Sequence, residues 1–251
     1  MKMLIKFLIL SQILSSDLPS ENTALIQKNG QKKIGLFSPL IFAKTDNKEY
    51  SIHPILGFVI PNLKIKNKIH LIKNIENAYS LKLTYPTPLL KIIQKDGIGG
   101  LITPNTNEVN IPHILVSELG IYSTKNIINR MSLSIYNGIA FTFSNNSIDE
   151  RITIDIPYIF PRMNMYNSKF NLISSFNISS FIMSNVGIDT KNTLRFTSKD
   201  KYDIAFEHKF QFFWYFKSNM KLIFGYNIYF AEYPFGNQWS IFPMIDLNYY
   251  W

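Results

Sequence analysis

Apolar and polar residues alternate with a period of two along most of this chain, most clearly at its end. In QWSIFPMIDLNYYW, residues 238–251, the odd positions Trp239, Ile241, Pro243, Ile245, Leu247, Tyr249 and Trp251 make one apolar face. Gln238, Ser240, Asp246 and Asn248 belong to the opposite, more polar face. A two-residue period of this kind places one greasy side and one mixed side on an extended strand.

The same alternation recurs upstream. Met220, Leu222, Phe224, Tyr226, Ile228 and Phe230 share a face in 220–231, opposite Lys221, Gly225, Asn227 and Ala231. In 203–217, Ile204, Phe206, Phe210, Phe212, Trp214 and Phe216 oppose Ala205, Glu207, Lys209 and Gln211. Only Ser218-Asn219 separates these two runs, which predicts a tight hairpin. Asn29-Gly30 is a type I′ hairpin pattern between 22–28 and 31–43. The full reading is twelve strands: 22–28, 31–43, 50–60, 63–73, 78–86, 113–123, 130–144, 150–160, 168–190, 203–217, 220–231 and 238–251. Ten is the second choice, because the first run and the long 168–190 run are the least regular. Pro157 and Pro243 fall inside proposed strands, where each removes a ladder donor, and are read as bulges or seam positions.

Composition turns these strands toward a membrane. Of 251 residues, 17% are charged and 15% aromatic, and the mean hydropathy is +0.01. No run approaches the ~20 continuous apolar residues of a spanning helix. Many rings, few charges and alternation together predict a transmembrane antiparallel up-and-down β-barrel, all-β, whose lipid-facing and lumen-facing residues alternate. Trp239 and Trp251 lie twelve residues apart on one face. At ~3.4 Å per residue and a ~45° tilt, that separation spans about 29 Å along the membrane normal. Trp239 and Trp251, with Trp214, are therefore expected in the interfacial aromatic girdles.

The closing IDLNYYW resembles the C-terminal assembly signal of Gram-negative outer-membrane β-barrel proteins, with Ile245, Leu247, Tyr249 and Trp251 at its alternating apolar positions. The glycine usual earlier in that signal is missing, and Pro243 stands near its place. The resemblance implies a bacterial outer-membrane location, recognition by the barrel-assembly machinery, and contact with outer-membrane lipids including lipopolysaccharide. At the other end, Lys2, Lys6, the apolar stretch Phe7–Leu14 and Ser15-Ser16 predict a signal peptide over 1–16, leaving 17–251 as one barrel domain. The chain has no cysteine, which excludes disulfides and thiolate metal sites.

The longest interruption, 86–112, predicts a short helix capped by Thr87, with Pro88 at its first position and Gly97 as its stop. Leu89, Leu90, Ile92 and Ile93 supply its apolar stripe. A long insertion with its own element is read either as a constriction folded into the lumen or as an external loop packed on itself.

The inward faces predict ten basic and six acidic residues, a modest positive bias. Candidate pore-lining residues are Lys64, Lys66, Lys68, Lys82, Arg151, Lys209 and Glu207. A track of Lys and Arg in a narrow pore favours small anionic solutes. The functional expectation is a small outer-membrane channel, or porin, with a mild anion preference, partly occluded by 86–112. The alternatives are a structural or assembly barrel of an envelope complex, and an outer-membrane lipid-modifying enzyme using His53 or His113. No catalytic or metal motif accompanies His53, His70, His113 or His208, so no catalytic residue, metal or cofactor is assigned. The lysines alternate along strands rather than cluster with exposed rings, which argues against nucleic acid.

Overall fold

The computed structural model describes residues 21–93, 110–128, 130–147, 168–197, 204–233 and 236–251. Twelve antiparallel strands form a closed barrel in sequence order, with the last strand pairing the first. They are β1 Lys32–Gly35, β2 Leu40–Thr45, β3 Lys48–Ile52, β4 Asn62–Ile69, β5 Glu76–Thr84 and β6 Ile114–Ile128. The others are β7 Met131–Ser144, β8 Phe170–Phe181, β9 Val186–Thr197, β10 Ile204–Lys217, β11 Met220–Tyr233 and β12 Gly236–Tyr250. Two short helices, α1 Pro54–Gly57 and α2 Thr87–Ile93, follow β3 and β5.

The expected count of twelve holds, but the strands are partly different ones. The 22–28 run is not a strand; it lacks a ladder and enters the lumen instead. The 31–43 run breaks into β1 and β2 around Ser38-Pro39, and 50–60 ends at Ile52, where Pro54 starts α1. The 168–190 run is long because it holds β8 and the beginning of β9, joined at 182–185. The run at 150–160 lies outside the described residues. At Asn29-Gly30 only Gly30 has positive φ, +78°, with Gln31 N–H on Lys28 C=O at 2.9 Å. Type I′ requires positive φ at both central residues, so this is the type II pattern, and it turns the lumenal segment into β1.

Pro243 does not bulge β12. The β11–β12 register runs unshifted from Met220↔Tyr249 to Tyr233↔Gly236. On its other flank β12 meets β1 only through Lys33↔Tyr250, Ile34↔Tyr249 and Gly35↔Asn248. Among the described residues, β12 has no ladder partner on that flank above those three pairs, where a missing N–H is tolerated.

Tight turns at 46–47, 182–185 and 218–219 share one end of the barrel with Trp251 and the start of β1. The longer connections 53–61 and 85–113 lie at the other, the loop end. The outer face is apolar along every long strand. Phe141, Leu172, Leu194, Phe224 and Ile245 stand exposed there, with Trp214, Trp239 and Trp251. Trp239 pairs across to Phe230 near the loop end, whereas Trp214 shares the level of Leu222 and Leu247 near the turn end. The three rings therefore lie at two levels of the outer face, Trp239 toward the loop end and Trp214 and Trp251 toward the turn end.

Candidate functional site

The interior is built by the other parity of each strand. A ladder that starts at Lys33 runs through Ile41, Ser51, Lys64, Lys82, Glu118 and Ala140 to Asn171 and Thr197. It begins beside Tyr250 at the turn end and finishes at the last residue of β9, so the strands are strongly tilted. The line brings Lys64 directly opposite Lys82. On the far wall Lys191 of β9 sits directly opposite Lys209 of β10. Like charges placed opposite one another destabilise a sheet, so neither pair is explained by strand pairing alone.

The lumen holds a cavity of about 310 Å³. Lys64, Lys66, Lys82, Lys191 and Arg195 line it against Glu21, Glu49 and Glu118. Its floor is aromatic: the Tyr122 and Tyr136 rings lie 4.4 Å apart between centroids. Lys64 Nζ donates to Tyr122 Oη at 2.9 Å, and Tyr136 Oη donates to Glu118 Oε1 at 2.6 Å. Gly120 makes this possible, since a Cβ there would fall 2.3 Å from Tyr136 Cε2.

Segment 21–28 stops the lumen on the turn side. The buried ammonium of Lys66 is 2.7 Å from Glu49 Oε1 and donates to Leu25 C=O at 2.7 Å and Thr23 C=O at 3.2 Å. Glu49 Oε2 in turn accepts Gln27 N–H at 3.1 Å. Ala24 N–H reaches Thr124 Oγ1 at 2.7 Å, and Lys191 Nζ reaches Asn22 Oδ1 at 3.2 Å. Glu21 pairs with Lys33. Burial alone would raise the Glu21 carboxyl, but Lys33 and Lys209 outweigh it and hold it at about 2.

From the loop side α2 packs inward. Its Leu90 is fully buried with Ile60, Ile111, Ile114, Val116, Ala140 and Ile173. Of the two readings of 86–112, the described part 87–93 is thus folded against inward-facing strand residues. The expected cap does not form as drawn: Thr87 Oγ1 donates to Pro112 C=O at 3.1 Å and accepts Ile114 N–H at 2.8 Å, clamping the returning chain. Gly97 lies outside the described residues.

Of the expected lining residues, Lys64, Lys66 and Lys82 border the cavity. Lys68 faces inward at the turn end, 2.6 Å from Glu76. Lys209 and Glu207 occupy inward positions of β10, opposite Lys191 and Thr193. Arg151 lies outside the described residues. Sequence reasoning missed Glu49 and Lys191 because its strands began one residue after the first and ended one residue before the second. Extending the parity of Asp189 by two positions reaches Lys191, and by six reaches Arg195. Glu21 carried no such pattern.

Three of the four histidines are held by hydrogen bonds within the fold. His53 Nδ1 accepts Leu56 N–H at 3.2 Å to cap α1, and its Nε2 is 2.9 Å from Phe37 C=O. His113 Nδ1 lies 2.5 Å from Tyr85 Oη, and His208, on the outer parity, 2.8 Å from Asn192 Oδ1. Among the described residues, no group of three His, Cys, Asp or Glu side chains is placed to hold a metal.

No protein-family model matches the chain, and no curated protein matches it in sequence. Solved structures do. An outer-membrane channel of Pseudomonas putida F1 superposes with a TM-score of 0.54 at 8% identity, over 92% of this chain and 98% of that one. The NanC porin superposes with a TM-score of 0.51 at 9% identity, over 87% of this chain and 97% of that one. At such identities the likeness is one of fold, a closed antiparallel β-barrel.

Proposed function

We propose that this protein is a small outer-membrane channel whose lumenal chamber favours anionic solutes. The observation that carries the reading is the pair of like-charged couples, Lys64 with Lys82 and Lys191 with Lys209, aimed at one lumen from opposite walls. Their mutual repulsion costs stability in the empty barrel and is relieved by an anion between them. Segment 21–28 and α2 narrow the two ends, so conductance in this conformation is small. Ile245, Leu247, Tyr249 and Trp251 serve as the assembly signal on the outer face of β12, read by the barrel-assembly machinery. The apolar outer surface contacts outer-membrane lipids, lipopolysaccharide among them. The resemblance to channel folds and the structural roles of His53 and His113 favour transport over lipid modification.

Planar-bilayer recording tests this reading. The wild-type barrel is expected to pass chloride in preference to potassium. The variant Lys64→Gln/Lys82→Gln/Lys191→Gln/Lys209→Gln is expected to move the reversal potential toward cations while keeping the fast gel mobility of an unboiled barrel. A folded barrel with no conductance, both in wild type and after removal of 21–28, would refute the channel. An unmoved reversal potential would refute the role of these lysines.

A further inference from the structure

The barrel wall is lower on one side. β1, β2 and β3 hold four, six and five residues, whereas β6 to β12 hold 12 to 15. All the strands reach the common turn end, so β1–β3 stop well short of the loop end. Among the described residues, none forms a ladder with the β1-facing flank of β12 over residues 236–247. Eleven steps at ~3.4 Å and a ~45° tilt make this about 26 Å of wall height, comparable to the ~25 Å apolar band of an outer-membrane barrel.

Two loops stand in the breach, and they are tied rather than laddered. Asp246 Oδ1 accepts Phe37 N–H at 3.0 Å, and its Oδ2 accepts Ser38 Oγ–H at 2.5 Å. Phe37 C=O is joined to His53 Nε2, and His53 N–H is joined to Asn62 Oδ1 at 3.0 Å. Leu36, Ile55 and Phe58 on these loops are exposed, Phe58 by 88%, as are Trp239 and Ile241 along the β12 edge. Behind the loops lies the lumenal cavity, because Pro39, Ile41, His53, Leu56 and Ile60 line it together with the basic residues. One cavity thus joins an apolar side at the breach to a cationic side at Lys64, Lys82, Lys191 and Arg195.

We propose that the low wall is a lateral opening for single-chain carboxylate amphiphiles, with the carboxylate held among Lys64, Lys82, Lys191 and Arg195 and the apolar tail passing between β12 and the 36–39 loop into the membrane. The inference rests on the channel reading and names its substrate class. The chamber is cationic: five basic residues face three acidic ones, and with the Lys66–Glu49 pair set aside four basic residues face two acidic ones. A polyanion or a sugar would gain nothing from Pro39, Ile41, Leu56 and Ile60. An amphiphile satisfies both halves at once. Asp246 is the latch, since release of its two bonds frees the 36–39 loop from β12.

The chain has no cysteine, so a covalent latch can be introduced cleanly. Ser38→Cys/Asp246→Cys replaces two side chains that already touch. The readout is tryptophan-sensitised fluorescence of cis-parinarate, a polyene carboxylate, bound to the full barrel in detergent. Parinarate is expected to bind wild type and the reduced double-cysteine variant, and to lose most of that binding on oxidation. Its uncharged methyl ester is expected not to bind. Lys82→Gln/Arg195→Gln should weaken binding about tenfold, as loss of charge-assisted hydrogen bonds predicts. Equal binding in oxidised and reduced forms, equal binding of acid and ester, or no binding to wild type would overturn the proposal. Chloride conductance recorded on the same preparations separates the two readings. A conducting barrel that ignores parinarate removes the lateral opening and leaves the channel. A barrel that binds parinarate but passes no current removes the channel itself.

Discussion

The two sides of this barrel solve the same closure problem differently. From β6 to β12 the wall is a continuous ladder: β6 pairs β7 from Ile114↔Ser144 to Ile128↔Met131, and β11 pairs β12 over their full lengths. Aromatic pairs reinforce it across the outer face, Phe212 with Phe224 and Phe230 with Trp239 among them. From β1 to β3 the ladder shrinks, with two residue pairs between β1 and β2. There side chains take over, Asp246 and His53 outside the ladder and Lys66, Glu49 and Lys33 inside it. The tall wall is a sheet held by its backbone; the low wall adds ion pairs and single hydrogen bonds to short ladders. Backbone ladders resist the loss of any one side chain, while a few polar contacts do not.

Substitutions sharpen this contrast, and the largest effect belongs to the tall side. A Cβ on Gly225 would fall 2.0 Å from Phe210 O of the neighbouring strand, a backbone atom that cannot step aside. Gly225→Val is expected to prevent closure, seen as loss of the fast-migrating unboiled band. Next comes the buried pair on the low side. Lys66→Met leaves Glu49 uncompensated and deprives 21–28 of its anchor, a loss of about 3–5 kcal/mol. Its expected readouts are a lower temperature for the gel-mobility transition and a larger unit conductance.

Asp246→Asn keeps the shape of the latch but weakens charge-assisted bonds, for about 1–2 kcal/mol. It should lower the transition temperature slightly and leave the β11–β12 ladder intact by hydrogen exchange. The smallest effect is a pH effect on Glu21. Its folded carboxyl lies at about 2 against an ordinary 4.5, so its contribution is complete above 4.5 and is lost as pH falls toward 2. Conductance should therefore rise only below pH 4.5, and Glu21→Gln should remove that rise.

Legibility in the sequence followed the same division. The tall strands were readable because alternation over a dozen residues leaves one register: β7, β10, β11 and β12 lie where the pattern put them. The low side was not, for a physical reason. A strand of four to six residues offers only two or three inward positions, too few to establish a period. The 22–28 run satisfies the lumen through carbonyls given to Lys66 rather than through a neighbouring strand. Lys64, Lys82 and Lys209 were visible on regular strands, whereas Lys191 on the far wall fell one residue past a run, 168–190, that hid a turn. The latch joins residues about two hundred positions apart, and nothing local in Ser38 or Asp246 announces it.

The segment inside the lumen also constrains the order of events during biogenesis. Among the described residues, 21–28 precede every strand, and β12 seals the barrel against β1 as its last strand. A chain exported from its N-terminus delivers the stopper first and the sealing strand at the end. Once β12 has docked, Lys33, Lys66 and Thr124 are walled in, and a stopper left outside must thread through an opening already narrowed by side chains. The sheet is thus wrapped around its own occupant, as a cask is raised around a bung already in place.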